Sequence, residues 1–194
     1  MTLTPGVRRL VTATALFGSG YLLAVLGVSL SSRERVLGVN HPKHFCGLYL
    51  DCHREVSLLG VDAIPAIGGQ RARGTFAVVT LRFSSTARRA VMRTGSLSAV
   101  VVDDTGRRFR RARSVEAALG DGRVTSGLPD APMVPGGAFT TRIAFDLPAD
   151  VRHPRLYIWD SDVTARLTEL LLVGDEDSLL HARTTFALEP AGRS

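Results

Sequence analysis

Beyond residue 50 the chain is a succession of short apolar runs of strand length, cut by turn signals, with no long amphipathic helix between them. The runs are Val56 to Ile64, Gly74 to Phe83, Leu97 to Val102, Arg107 to Arg111, Ala138 to Leu147, Leu156 to Trp159, Leu167 to Val173 and Thr184 to Leu188. Their β-branched and aromatic content, with a near two-residue period, reads as half-buried strands. In FTTRIAFDL that period puts Phe139, Thr141, Ile143, Phe145 and Leu147 on one face. Asp104-Thr105-Gly106 reads as a hairpin turn, and Ser114 to Leu119 as a single helical turn capped by Ser114. The Gly-, Pro- and Asp-rich stretch from Gly120 to Gly137 reads as a loop crossing between sheets. A parallel α/β fold needs crossover helices that are absent here, so the expected class is all-β, an antiparallel β-sandwich. With 194 residues, 45% of them hydrophobic and 22% charged, the chain suits one such core and excludes wholesale disorder.

The other constraint lies at the N-terminus. Residues 10–30, LVTATALFGSGYLLAVLGVSL, carry no charge over twenty-one positions. As a helix they would rise about 30 Å, the depth of a bilayer's hydrocarbon core. Arg8 and Arg9 stand just before the run, where the positive-inside rule keeps them in the cytoplasm. Val28-Ser29-Leu30 offers no small-x-small cleavage site, and no cysteine follows for a lipid anchor, so an uncleaved signal anchor is expected. The expected organisation is therefore a cytoplasmic tail over 1–9, a single transmembrane signal anchor over 10–30, a polar tether over 31–44 and an extracytoplasmic β-sandwich over 45–190.

Cys46 and Cys52, the two cysteines of the chain, follow the tether with five residues between them. In an oxidising compartment they are expected to close a small disulfide loop. His41, His44 and His53 crowd the same stretch, so a metal-binding or redox accessory site is the alternative, although the spacing matches no standard zinc site.

Elsewhere the chemistry is sparse. No G-x-S-x-G, no P-loop and no dinucleotide-binding glycine motif is present. Asp160-Ser161-Asp162 and Asp175-Glu176-Asp177 would hold calcium or serve a hydrolase only if their loops converged. The net charge of +6 comes from 24 basic and 18 acidic residues, and every basic residue except Lys43 is arginine. The densest basic run, Arg107-Arg108-Phe109-Arg110-Arg111, would place Arg108 and Arg110 on one face of a strand, opposite Phe109. A solvated edge strand is the expected role, with phosphates or lipid headgroups as the alternative contact. Tyr157, Trp159 and Phe139 are expected in the core.

Three motifs carry a resemblance. Gly74-Thr75-Phe76-Ala77-Val78-Val79-Thr80-Leu81 is similar to a "G-x-F-x-V-V-x-V" strand. Val101-Val102-Asp103-Asp104-Thr105-Gly106-Arg107-Arg108-Phe109 is similar to an "l-x-D-x-x-G-x-x-y" hairpin. Pro135-Gly136-Gly137-Ala138-Phe139, leading to Ile143-Ala144-Phe145-Asp146-Leu147-Pro148, is similar to a "pG-x-x-x-x-g-x-v-F-d-v-P" element. Over residues 56 to 160 the pattern resembles the immunoglobulin-like domains of bacterial surface proteins and lipoproteins of unknown function, sometimes described as telomere-repeat-factor-like Ig domains. The chain departs from them in its apolar N-terminal run, its Cys46 to Cys52 segment and its LTELLLVGDEDSLLH segment. The resemblance implies an immunoglobulin-like sandwich that binds or scaffolds, with no catalytic residues and no cofactor. The expectation is a non-enzymatic module at the cell membrane, meeting the membrane through its span and another envelope protein through its outer domain, without nucleic acid.

Overall fold

The computed structural model describes residues 4–31, 33–45, 53–94, 97–121, 124–161 and 183–189. A helix, α1 (Pro5–Ser31), opens the chain. Strands β1 (Arg35–Leu37), β2 (Pro42–Phe45), β3 (Arg54–Ile67), β4 (Gln70–Ser85), β5 (Met92–Arg93), β6 (Leu97–Val102) and β7 (Arg108–Arg110) follow. A one-turn helix, α2 (Arg113–Glu116), runs into a 3₁₀ turn over Ala117–Leu119. The chain then adds β8 (Thr125–Ser126), β9 (Pro132–Met133), β10 (Ala138–Leu147), β11 (Arg155–Asp160) and β12 (Thr184–Ala187).

These strands form two five-stranded sheets and a small two-stranded one. The first sheet has the order β2-β3-β4-β10-β8 and the second β1-β12-β11-β6-β7, while β5 pairs with β9. Between the two large sheets lies one apolar core, built from Val56, Leu58, Val79, Leu81, Phe83 and Ile143 on one side and Val101, Leu156, Ile158 and Phe186 on the other. The all-β sandwich expected from the strand series is present. The edges add parallel pairings, β1 with β12 and β8 with β10, to an otherwise antiparallel ladder.

The frame of the first sheet is the β3–β4 hairpin, closed by Gly68-Gly69 with φ of +54° and +81°. Two consecutive positive φ values are what a tight two-residue hairpin turn of right-handed strands requires. Register breaks between Leu58 and Gly60 and between Ile64 and Ala66, where Pro65 has no amide hydrogen to give the ladder. Leu97–Val102 and Ala138–Leu147 form strands over the same residues the pattern indicates. Leu167 to Val173 lies outside the described residues.

Several expectations are corrected. Among the described residues no helix is long and apolar enough to cross a membrane, which removes the single span expected over residues 10–30. The run is helical, but α1 takes Arg8 and Arg9 into its first turns and Gly18-Ser19-Gly20-Tyr21 into its middle, diluting its apolar character. The tether expected over 31–44 instead supplies β1 and β2, so the sandwich begins before the cysteines. Ser114 does not cap α2: the cap position is Ala112, and the Ser114 hydroxyl donates to Gln70 Oε1 at 3.2 Å. The stretch from Gly120 to Gly137 does carry the chain from the second sheet to the first, and it contains β8 and β9 on the way.

A second, smaller core of Ile67, Phe76, Val78, Val115 and Ala144 lies on the outer face of the first sheet, under α2. It explains why Ala144 and Val78 are buried although they point away from the main core.

Candidate functional site

On β11 the alternation sends Leu156 and Ile158 into the core, each 0% exposed, so Arg155, Tyr157 and Trp159 stand on the outer face of the second sheet. This corrects the expected core position of the two aromatic residues. Their rings stack at 5.1 Å between centroids and 13° between planes. The Arg183 guanidinium lies 5.6 Å from the centre of the Tyr157 ring, so a cation, a phenol and an indole share one column. Among the described residues no second ring or cation covers Trp159.

Directly across β6 from Trp159 is Ser98, a short side chain, while Tyr157 faces Val100 and Arg155 faces Val102. On the far side of β6, β7 pairs Arg110 with Val100 and Arg108 with Val102, then leaves the sheet. Arg111 already bridges to Phe145 of the other sheet, so no β7 residue covers Ser98. The result is a groove of about 860 Å³ along β6, with Trp159 on one bank and Arg108, Arg110, Arg111 and Arg113 on the other. Arg108 and Arg110 project outward while Phe109 packs toward the core, the division the sequence indicates for this edge strand.

Arg111 is engaged beneath the groove by Glu116, which takes its Nε at 2.9 Å and also accepts the Ala144 amide at 3.3 Å. Both charged groups are nearly buried, at 13% and 7% side-chain exposure. Arg108, Arg110 and Arg113 are exposed and meet no carboxylate among the described residues.

A second hollow of about 590 Å³ adjoins the other end of the column, lined by Glu34, Asp103, Arg155, Tyr157, Arg183 and Thr185 among others. Its charges are largely spent internally. Arg155 donates to Glu34 at 2.6 Å and Thr185 Oγ1 to the same carboxylate at 3.2 Å. Asp103 closes the β6–β7 turn: its Oδ1 accepts the Thr105 and Arg107 amides at 3.0 and 2.8 Å and the Thr105 hydroxyl at 2.7 Å. Its Oδ2 takes Arg107 Nε at 2.7 Å. Burial alone would raise this carboxyl, but the Thr105 hydroxyl and the Arg107 side chain and amide outweigh it and hold the pKa down at about 2.

Among the described residues, those nominated from sequence do not converge. Cys46 and Cys52 lie outside the described residues, as do Asp162 and Asp175-Glu176-Asp177. His41 Nδ1 sits 3.1 Å from the Val39 carbonyl, His44 Nδ1 3.5 Å from Glu55 and His53 Nδ1 3.3 Å from the Thr86 hydroxyl. Among the described residues no three potential metal ligands come together. Asp160 is buried in an ion pair with Arg54 at 3.2 Å, tying β11 to β3 across the sandwich. Phe139 does pack against the core, stacked 5.1 Å from Phe83.

No protein-family model matches the chain, and no curated protein matches it. Solved structures to which it is similar include the yjhA protein of Bacillus subtilis, at 12% identity and a TM-score of 0.45, covering 78% of this chain and 98% of that one. Another is the secreted protein MPT63 of Mycobacterium tuberculosis, at 12% identity and a TM-score of 0.47, covering 68% and 93%. A third is an uncharacterized β-sandwich protein of Clostridium difficile, at 6% identity and a TM-score of 0.46, covering 82% and 97%.

Proposed function

We propose that the chain is a non-catalytic binding module, an immunoglobulin-like β-sandwich displayed outside the cytoplasm and held at the membrane by α1. The observation that carries this reading is the contrast between α1 and the sandwich. Leu10, Phe17 and Leu30 of α1 are 68%, 82% and 85% exposed, while the apolar side chains of the sandwich close over one core. So much exposed apolar surface on one helix is costly in water and is relieved by lipid. Bonds made within the fold support a module without chemistry of its own. The titratable groups most suited to catalysis, His44, Asp160 and Glu116, are each engaged by a neighbour. The same compartment favours a Cys46–Cys52 disulfide.

Fractionation of cells making the full chain tests this. The chain is expected with the membranes, its C-terminal domain open to protease added from outside, and its thiols alkylated only after denaturation with reductant. Alkaline carbonate is expected to release the chain, because α1 meets lipid at the interface rather than crossing it. A chain found free in the cytosol with reactive thiols would overturn the reading. Zinc or copper lost on denaturation would transfer the function to the histidine and cysteine segment.

A further inference from the structure

We infer that the groove along β6 binds an anionic glycan, a chain of pyranose rings bearing carboxylate or phosphate groups. The inference rests on the binding-module reading and names the partner class. Two features meet in the groove, and each answers one part of such a ligand. Trp159 offers an indole already steadied from one side by Tyr157, and the apolar face of a sugar ring stacks on such a platform. Arg108, Arg110 and Arg113 offer forked donors on the opposite bank, with no carboxylate of their own among the described residues. Arg71, Arg82, Arg88, Arg89 and Arg152 are likewise exposed and meet no carboxylate among the described residues, so what sets the groove apart is that its cations line one hollow with Trp159.

The depression follows from the strand pairing. A short Ser98 lies opposite Trp159, and β7 ends one row early, leaving a trough along β6. A linear polymer fits that shape. A phosphoglycerol or phosphoethanolamine headgroup would supply the phosphate but no ring for the indole, and a polyglutamate-like peptide would supply carboxylates without a flat apolar face.

Trp159 is the one tryptophan of the chain, so its emission reports on the groove directly. The full chain in a polyoxyethylene detergent is titrated with oligogalacturonate, and with maltooligosaccharide, polyglutamate and polyphosphate of similar length. Saturable change is expected with oligogalacturonate alone. Arg110→Ala and Arg113→Ala should each weaken it about tenfold, the scale of a lost charge-assisted hydrogen bond. The double variant Arg88→Ala/Arg89→Ala, exposed and outside the groove, should bind as the parent does. Thermal melting that matches the parent shows that the groove variants are folded.

Absence of any response, or of binding heat by calorimetry, overturns the inference. So does polyglutamate or polyphosphate binding as tightly as the glycan, or an equal loss in the Arg88/Arg89 variant, since either reduces the effect to charge alone. A chain that stays with membranes but ignores the glycan loses this inference and keeps the module reading. Chromatography of the glycan afterwards separates the other case: shortened chains would keep the groove as a binding site and overturn the non-catalytic reading.

Discussion

The Lys43 ammonium, reaching from β2 of one sheet, donates to the Ile158 carbonyl of the other sheet at 2.7 Å. It also donates to the Thr184 carbonyl at 3.1 Å. The β11–β12 ladder pairs Arg155 with Ala187 and Leu156 with Phe186 and then stops. In that register Ile158 falls opposite Thr184, so the lysine satisfies carbonyls at the point where the two strands part. The chain has this one lysine, and it is 1% exposed. Its stem lies in the core and its head lies 4.9 Å from the Tyr157 ring, under the column that bears Trp159.

An amine-reactive ester should therefore modify the native full chain at its α-amino group alone, with Lys43 labelled only after denaturation, as intact mass shows. Lys43→Met keeps the volume of the stem and leaves both carbonyls without this donor. The expected cost is about 2–6 kcal/mol, from roughly 1–3 kcal/mol for each of the two buried acceptors that lose this donor. On a chain of this size it appears as a fall of roughly 10 °C in melting temperature. Rapid labelling of the folded chain would show that the lysine is not held in the sandwich.

The Arg111–Glu116 pair ties the first turn of α2 to the edge of both sheets, and its partners are nearly out of water. Glu116→Ala would leave a buried guanidinium unpaired and expose the Ala144 amide, at an expected cost of about 3–5 kcal/mol. The double variant Arg111→Met/Glu116→Ala should recover most of that loss, because the charge goes with its partner. Chemical denaturation of the four chains of this cycle gives the coupling, and a double variant as unstable as Glu116→Ala would show that packing rather than charge sets the cost.

Much of the sandwich is readable from residue types because its strands alternate cleanly. RIAFDL buries Ile143, Phe145 and Leu147, and the Asp104-Thr105-Gly106 turn forms with Gly106 at φ +82°. The outward placement of the aromatic pair is equally present in the pattern. RLYIWD alternates too, and once Leu156 and Ile158 point inward, Tyr157 and Trp159 must point outward. Residue type alone points the other way, because aromatic side chains are common in cores. What sequence does not reveal is long-range pairing. Nothing local shows that β1 joins the last strand, that Lys43 meets carbonyls 115 and 141 positions away, or that β7 ends one row before Ser98.

Acid should act on the β6–β7 turn through Asp103. Its carboxyl titrates in the fold at about 2, against an ordinary value of 3.8. A carboxyl lowered on folding stabilises the fold at every pH above its unfolded value. That stabilisation declines as pH falls from about 4 and is gone once the native carboxyl protonates near 2. Asp103→Asn removes the charge at every pH. The variant should be less stable than the parent at neutral pH, and the difference should shrink between pH 4 and pH 2. Denaturant midpoints at intervals across that range check this, and a gap that stays constant to pH 2 would assign the effect to hydrogen-bond geometry instead.

Gly74 opens the GTFAVV segment of β4 and lies against the end of β10. A methyl group there would fall onto the Ala149 amide and within 2.7 Å of the Leu147 oxygen and the Pro148 carbonyl carbon. Those neighbours are main-chain atoms, which have no rotamer through which to give way. Relief would require β4 and β10 to separate at the Thr75 to Leu147 pair, where the hairpin frame joins the third central strand. Gly74→Ala should therefore cost at least about 2 kcal/mol, at the upper part of the range for overpacking. Gly106 is the instructive contrast. It lies in a left-handed turn with open space around its added Cβ, so Gly106→Asn, a residue tolerant of that backbone, should cost less than Gly74→Ala. Thermal melts of the two variants give the order directly, and the reverse order would mean that the approach of β4 to residues 147–149 is looser than its geometry indicates.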